Sequence, residues 1–314
     1  MSDEQLRRAA FGDDPGHDPG LGRRTPRARW LAAVVLGAQG RYAAAATALH
    51  DLLRDPVFAA HAAATLAAHR RQLGGHAAAL RWDALALRLA DGTEATDPDG
   101  ADATGARCDA LLGLAADNLG VGRLTAARRL LDAAAAADDR WRARVRHGWV
   151  TAEVALASGD AAAAVGPAER AVAEAAGRGA VRHLVKSRLV LAAALAATGE
   201  TRKAHEMTVD AYGVAEEHGL RSLEWPAALI AADTSPGHAG RYRSRAVATL
   251  HALLPHADPV GRWLASESPW LPVSRHTDIW ARLSQKKPPD RVKVGPKASD
   301  RGSGMSPGCR KETP

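Results

Sequence analysis

The stretch LAATGETRKAHEMTVDAYGVAEEHGL, residues Leu195 to Leu220, ends one alanine-rich helical pattern at Gly199 and starts another within two residues. Glycine closes a helix at low cost because it enters the left-handed backbone region freely, and a polar residue beside it can cap the next helix. Thr201 is the expected cap here, and Asp160 holds the matching place after Gly159. So short a break leaves room only for an antiparallel helical hairpin.

The same break recurs along the chain. GAQGRY (Gly37 to Tyr42), QLGGH (Gln72 to His76), NLGVGRL (Asn118 to Leu124), ASGDA (Ala157 to Ala161) and GHAGRY (Gly237 to Tyr242) each separate two amphipathic patterns. With Gly40, Gly74, Gly122, Gly159, Gly199 and Gly240 as turn glycines, the intervals are 34, 48, 37, 40 and 41 residues. That is the period of stacked helix pairs, about six hairpins forming an all-α solenoid. The long interval contains DGTEATDPDGADA, 91–103, which reads as an exposed inserted loop. Its DPDGAD core lacks the glycine and acidic spacing of a calcium loop. Pro167 falls inside the fourth unit's second helix, where it predicts a kink or a helix beginning at the proline itself.

Composition agrees with helices. Alanine dominates and aromatic residues are only 4%, so strand formers are in short supply. The formal net charge is +7, yet from Arg275 onward ten Lys/Arg face four Asp/Glu. The positive charge is therefore largely a C-terminal property, and the body is close to neutral. Residues 1–25, rich in Gly, Pro and Asp, are expected to be disordered, and so is the lysine-rich tail 285–314. Between the repeats and that tail, 255–284 reads as an irregular Trp/Pro-rich capping segment with one short helix at Ser274 to Leu283. The tail has no aromatic residue after Trp280, so it lacks the stacking groups of a single-strand nucleic-acid binder.

No apolar run approaches a bilayer's thickness, which predicts a cytoplasmic protein with no membrane insertion. Cys108 and Cys309 have no metal-ligand companions at short spacing. There is no phosphate-binding glycine loop, no G-x-S-x-G and no H-E-x-x-H, and the thirteen histidines lack ligand spacing on a helix. No enzyme activity, metal or cofactor is expected.

Small residues recur five and twelve positions after the turn glycines: Ala79 and Ala86, Ala127 and Ala134, Ala164 and Ala171, Ala204 and Ala211. The first unit offers Ala45 and Leu52, with Tyr42 two after its glycine, whereas Arg245 breaks the pattern in the sixth. In these features residues 26–254 resemble the tetratricopeptide family, in the divergent form with longer repeats found in bacterial regulators and adaptors. The resemblance implies a right-handed α-solenoid whose first helices line a concave face. It also implies that residues thirteen, ten and six before each turn glycine point into that face. This selects Arg27, Trp30, His61, Asp109, Arg146, Trp149, Glu153 and Lys186 as groove residues. Basic and aromatic groups together suit an acidic or amphipathic peptide. The Lys and Asn set with which the family clamps C-terminal carboxylates is missing at these positions.

The function expected from the sequence is an adaptor or scaffold that holds a protein or peptide partner in its concave face. The alternative is a ligand-sensing solenoid that acts through a separate effector protein.

Overall fold

A computed structural model of the chain describes residues 2–20, 22, 25–91 and 95–272. Among the described residues there are fourteen α-helices and no strand. Helix α1 spans Asp3–Phe11, and six hairpins follow. They are α2 (Pro26–Ala38) with α3 (Tyr42–Leu52), α4 (Ala59–Gln72) with α5 (His76–Leu89), and α6 (Ala103–Gly120) with α7 (Leu124–Ala137). The remaining three are α8 (Trp141–Ala157) with α9 (Ala161–Gly177), α10 (Val181–Ala197) with α11 (Thr201–Glu217), and α12 (Arg221–Thr234) with α13 (Ala239–Leu253). A last helix, α14, covers Pro259–Glu267. From α1 to α13 each helix packs on its neighbours in the chain, the first helices of successive hairpins also touch, and α14 packs on α4. The molecule is therefore an α-solenoid.

One terminating motif builds most of the turns. Gly199 has φ +89°, its N–H donates to the Ala196 carbonyl at 3.1 Å, and the Glu200 N–H donates to the Leu195 carbonyl at 2.9 Å. This pair of bonds satisfies carbonyls that the helix end would otherwise orphan. The same pairing recurs at Gly40, Gly74, Gly122 and Gly159, as the spacing predicts, and also at Gly179 and Gly219 between hairpins. Gly240 is different: it lies within α13, and a 3-10 turn at Pro236–His238 makes the sixth bend. The repeat pattern therefore loses register in the last unit, where Ala246, Leu250 and Leu253 are buried and Arg245 stacks on Tyr212.

Asp160 caps α9 by accepting from the Ala163 N–H at 3.1 Å. Thr201 does not cap α11; it is the first helical residue and follows Glu200. Helix α9 runs unbroken through Pro167, because its packing between α8 and α10 offsets the roughly 3 kcal/mol that an interior proline costs. Small residues form the seam. Ala45, Ala79, Ala86, Ala127, Ala134, Ala164, Ala171, Ala204 and Ala211 are all at most 2% exposed, so helix backbones approach closely there.

Three further expectations need correction. Residues 3–11 are helical: Ser2 and Gln5 form a capping box, and Leu6, Ala9, Ala10 and Phe11 are buried against α2 and α10. Burying Leu6 and Phe11 contributes about 1.5–3 kcal/mol each, enough to order a short segment that lacks obvious periodicity. The insert at 91–103 is not an exposed linker, since Asp99 and Asp102 are buried and α6 begins at Ala103. Its carboxylates bind arginines: Asp97 pairs with Arg27 at 2.6 Å, Asp99 with Arg7, and Asp102 with Arg140 at 2.6 Å. Within 255–284, α14 forms where an irregular segment was expected, capped by Asp258, which accepts from the Gly261 N–H at 3.0 Å. The helix expected at 274–283 and the basic tail lie outside the described residues.

The two ends of the array meet. Helix α12 touches α2, and Ala38 of α2 shares a core with Leu223, Ala227 and Ile230 of α12. On the outer layer Tyr42 and Leu73 pack with Leu250, Leu253, Ala265 and Leu271. Gly40 lies at a close approach between them, since a Cβ there would sit 2.9 Å from a Leu253 methyl. Arg70 of α4 and Asp258 before α14 complete the closure with a 2.7 Å ion pair.

Candidate functional site

Because the ends meet, the concave face becomes the wall of a central cavity of about 520 Å³. Its lining comes mainly from the first helices of the six hairpins, with Phe11 from α1 and Trp270 and Leu271 from the C-terminal segment. The positions six, ten and thirteen before the first five turn glycines number fifteen, and thirteen of them line this cavity. Among the sequence-selected residues, Trp30, Asp109, Arg146, Trp149, Glu153 and Lys186 do so.

Arg27 and His61 do not line it. The Arg27 guanidinium is engaged by Asp97 of the insert, and His61 is buried behind Trp30, with Nε2 donating to the Asp102 carbonyl at 3.0 Å. Both residues lie at the end of the array that the insert and α1 cover, and that covering is absent from the repeat pattern.

Each wall residue is placed by helical spacing. On α8, Arg142, Arg146, Trp149 and Glu153 share one face, and Arg182, Lys186, Leu189 and Ala193 repeat that arrangement on α10. The Trp149 indole donates to Ser187 Oγ at 2.8 Å, and its ring stacks on His183 with centroids 5.6 Å apart. Lys186 pairs with Glu153 at 2.9 Å and lies over the Trp149 ring. The Trp30 indole donates to Thr65 Oγ1 at 3.0 Å. These bonds satisfy the polar edges of the tryptophans and leave their faces to shape the cavity.

Charge is unevenly distributed around the wall. Asp109, on α6, accepts from Arg142 at 2.8 Å and also binds Arg146. Burial opposes its ionisation, but the two guanidiniums win and hold its carboxyl below the usual range. Arg182 stands beside them with no hydrogen bond or ion pair among the described residues, and its Nε is buried without a partner. Burial and repulsion by Arg142 and Arg146 bring its pKa down to about 10. His183 is held neutral by burial and by the same three arginines.

Elsewhere on the wall Arg71 bridges Asp83 at 2.6 Å and Asp117 at 2.9 Å, two carboxylates with no more than 1% side-chain exposure. Burial raises the Asp83 carboxyl well above the usual range, against the pull of Arg71 and with the help of Asp117. Sequence reasoning missed Arg71, Arg142 and Arg182. For the last two, a signal existed: they lie seventeen before Gly159 and Gly199, one helical turn beyond the positions selected.

No group of three or more His, Cys, Asp or Glu side chains suited to a metal ion occurs among the described residues. No helix among them is long and apolar enough to cross a membrane. No protein-family model matches the chain, and no curated protein matches it in sequence.

Proposed function

We propose that this chain is a ligand-binding regulatory module of tetratricopeptide type, which takes up a small molecule in its interior and transmits occupancy to a separate effector protein. The observation that carries this reading is the meeting of α2 and α12, which curls the concave face round a central cavity that remains open to solvent. Its volume of about 520 Å³ falls in the range of small-molecule sites, and tryptophan faces with a few charged groups are the usual lining of such sites. The buried alanine seam and the repeated glycine turns support the tetratricopeptide assignment.

A second reading, the adaptor that holds a peptide or helix, is favoured by α1, an amphipathic helix whose Phe11 reaches into the same cavity. Thermal-shift screening against a metabolite library separates the two. The sensor reading expects a hit that raises Tm and saturates at one molecule per chain in calorimetry; a ligand at a hundred times its Kd stabilises by about 2.7 kcal/mol. The adaptor reading expects no such hit, together with a stoichiometric protein partner that is lost on Arg146→Glu while the fold is retained.

A further inference from the structure

We infer that Arg142, Arg146 and Arg182 form a receptor for the anionic head of a small amphiphile, a carboxylate or a phosphate, whose apolar body lies along α10 and against Trp149. This rests on the reading of the interior as a small-molecule site and names the class of molecule it takes.

The charge count comes first. Three guanidiniums stand around one carboxylate, Asp109, which pairs with Arg142 and Arg146 but not with Arg182, and the other acceptors of Arg142 are backbone carbonyls, that of Asp99 at 2.6 Å and that of Gly100. Arg142 is further held over the rings of Phe11 and Trp30, so its position is fixed. Arg182 has none of this support, and its Nε remains buried and unpaired. A partly buried cation beside two others and without an ion-pair partner of its own is costly, and the cost is normally relieved by pairing.

Its place in the helix makes the arrangement less favourable still. Arg182 is the second residue of α10, and Arg142 is the second residue of α8. The macrodipole there is positive and disfavours cations, whereas it attracts anions. Local rules are broken in this way where function requires it. Guanidinium forks match the paired oxygens of carboxylate and phosphate groups. Further along α10 the wall is Leu189, Val190 and Ala193, which cannot solvate charge and suit an alkyl or aromatic body.

Calorimetric titration of the full chain with octanoate, octyl phosphate and octanol tests this. The expected result is that at least one of the two anions binds about tenfold or more tightly than octanol, as one charge-assisted contact predicts. The tighter of the two identifies the head group. Arg182→Met is expected to weaken that anion about tenfold or more while leaving the Tm of the empty protein unchanged or higher, because it removes an unpaired charge. A purely structural arginine would give the opposite shift in Tm. Arg182→Gln serves the same comparison if the methionine variant fails to fold. Octanol binding as tightly as the anions, or undiminished anion binding in both variants, overturns the anion receptor but leaves the interior as a small-molecule site. No binding of any of the three probes to a stably folded chain overturns the inference, and if no other small molecule binds either, the underlying reading goes with it.

Discussion

The Arg142 guanidinium carbon lies 5.0 Å from the centre of the Phe11 ring, so the N-terminal helix closes on the same arginine that pairs with Asp109. Phe11 also tilts against Trp30 at 5.7 Å and His183 at 6.1 Å. A segment outside the repeats thus completes the wall of the cavity.

Phe11→Ala is expected to undock α1 without unfolding the solenoid. Truncating a buried Phe costs about 3–5 kcal/mol where the structure cannot relax, but a terminal helix can release locally and limit the loss. Hydrogen exchange should show lost protection at residues 3–11 with α8 and α10 still protected. Uniform loss along the chain would show instead that α1 is integral to the global fold.

Arg71→Met leaves Asp83 and Asp117 buried without their shared cation. Removing one partner from a buried ionic group costs about 3–5 kcal/mol, so urea denaturation should show a large drop in midpoint. Adding Asp83→Asn to that variant is expected to restore part of the loss. A single variant within about 0.5 kcal/mol of the parent would mean that the ion pairs of Arg71 contribute no net stability.

Three buried histidines set the response to mild acid. Burial lowers His61 to about 4 and His69 to about 3, and it keeps His183 well below its ordinary value. The unfolded chain gains protons at these sites below about pH 6.5, while the folded chain does not. Stability is therefore complete above that pH and declines as pH falls toward 4, by about 1.4 kcal/mol per pH unit for each histidine. Urea midpoints at pH 7, 6 and 5 measure the slope, and His61→Gln, which keeps a donor for the Asp102 carbonyl, should reduce it by about one histidine's share. A flat profile over that range contradicts the assignment.

Cys108 is 1% exposed, and burial pushes its thiol up to about 12. Neutral buried thiols are poor nucleophiles. In a Cys309→Ser background, Ellman's reagent at pH 8 should react with Cys108 only at the rate at which the fold opens, and denaturant should release the full reaction. Immediate modification without denaturant is the contrary outcome.

The regular parts of this molecule were legible because local chemistry dictates them. Gly40, Gly74, Gly122, Gly159 and Gly199 have the left-handed φ that their turns require, and the alanines counted from them are buried. Counting back from the same glycines found about a third of the residues that line the cavity, at least two from each of the first five hairpins. What escaped depends on contacts distant in sequence. Residues 3–11 carry a weak local signal and are ordered by Trp30 and His183. Arg27 and His61 are taken up by an insert whose aspartates were read as solvated. Nothing in the spacing of Tyr42 and Leu253 announces that they share a core.

That shared core fixes the number of units. An open stack can gain or lose a hairpin with little penalty, because each unit senses only its neighbours. Here the first and sixth hairpins hold one another, so excising one, or duplicating one, would strip Ala38 from Ile230 and expose both. The count of six is a closure condition, like the number of staves in a cask, and drift in repeat number is barred at the seam.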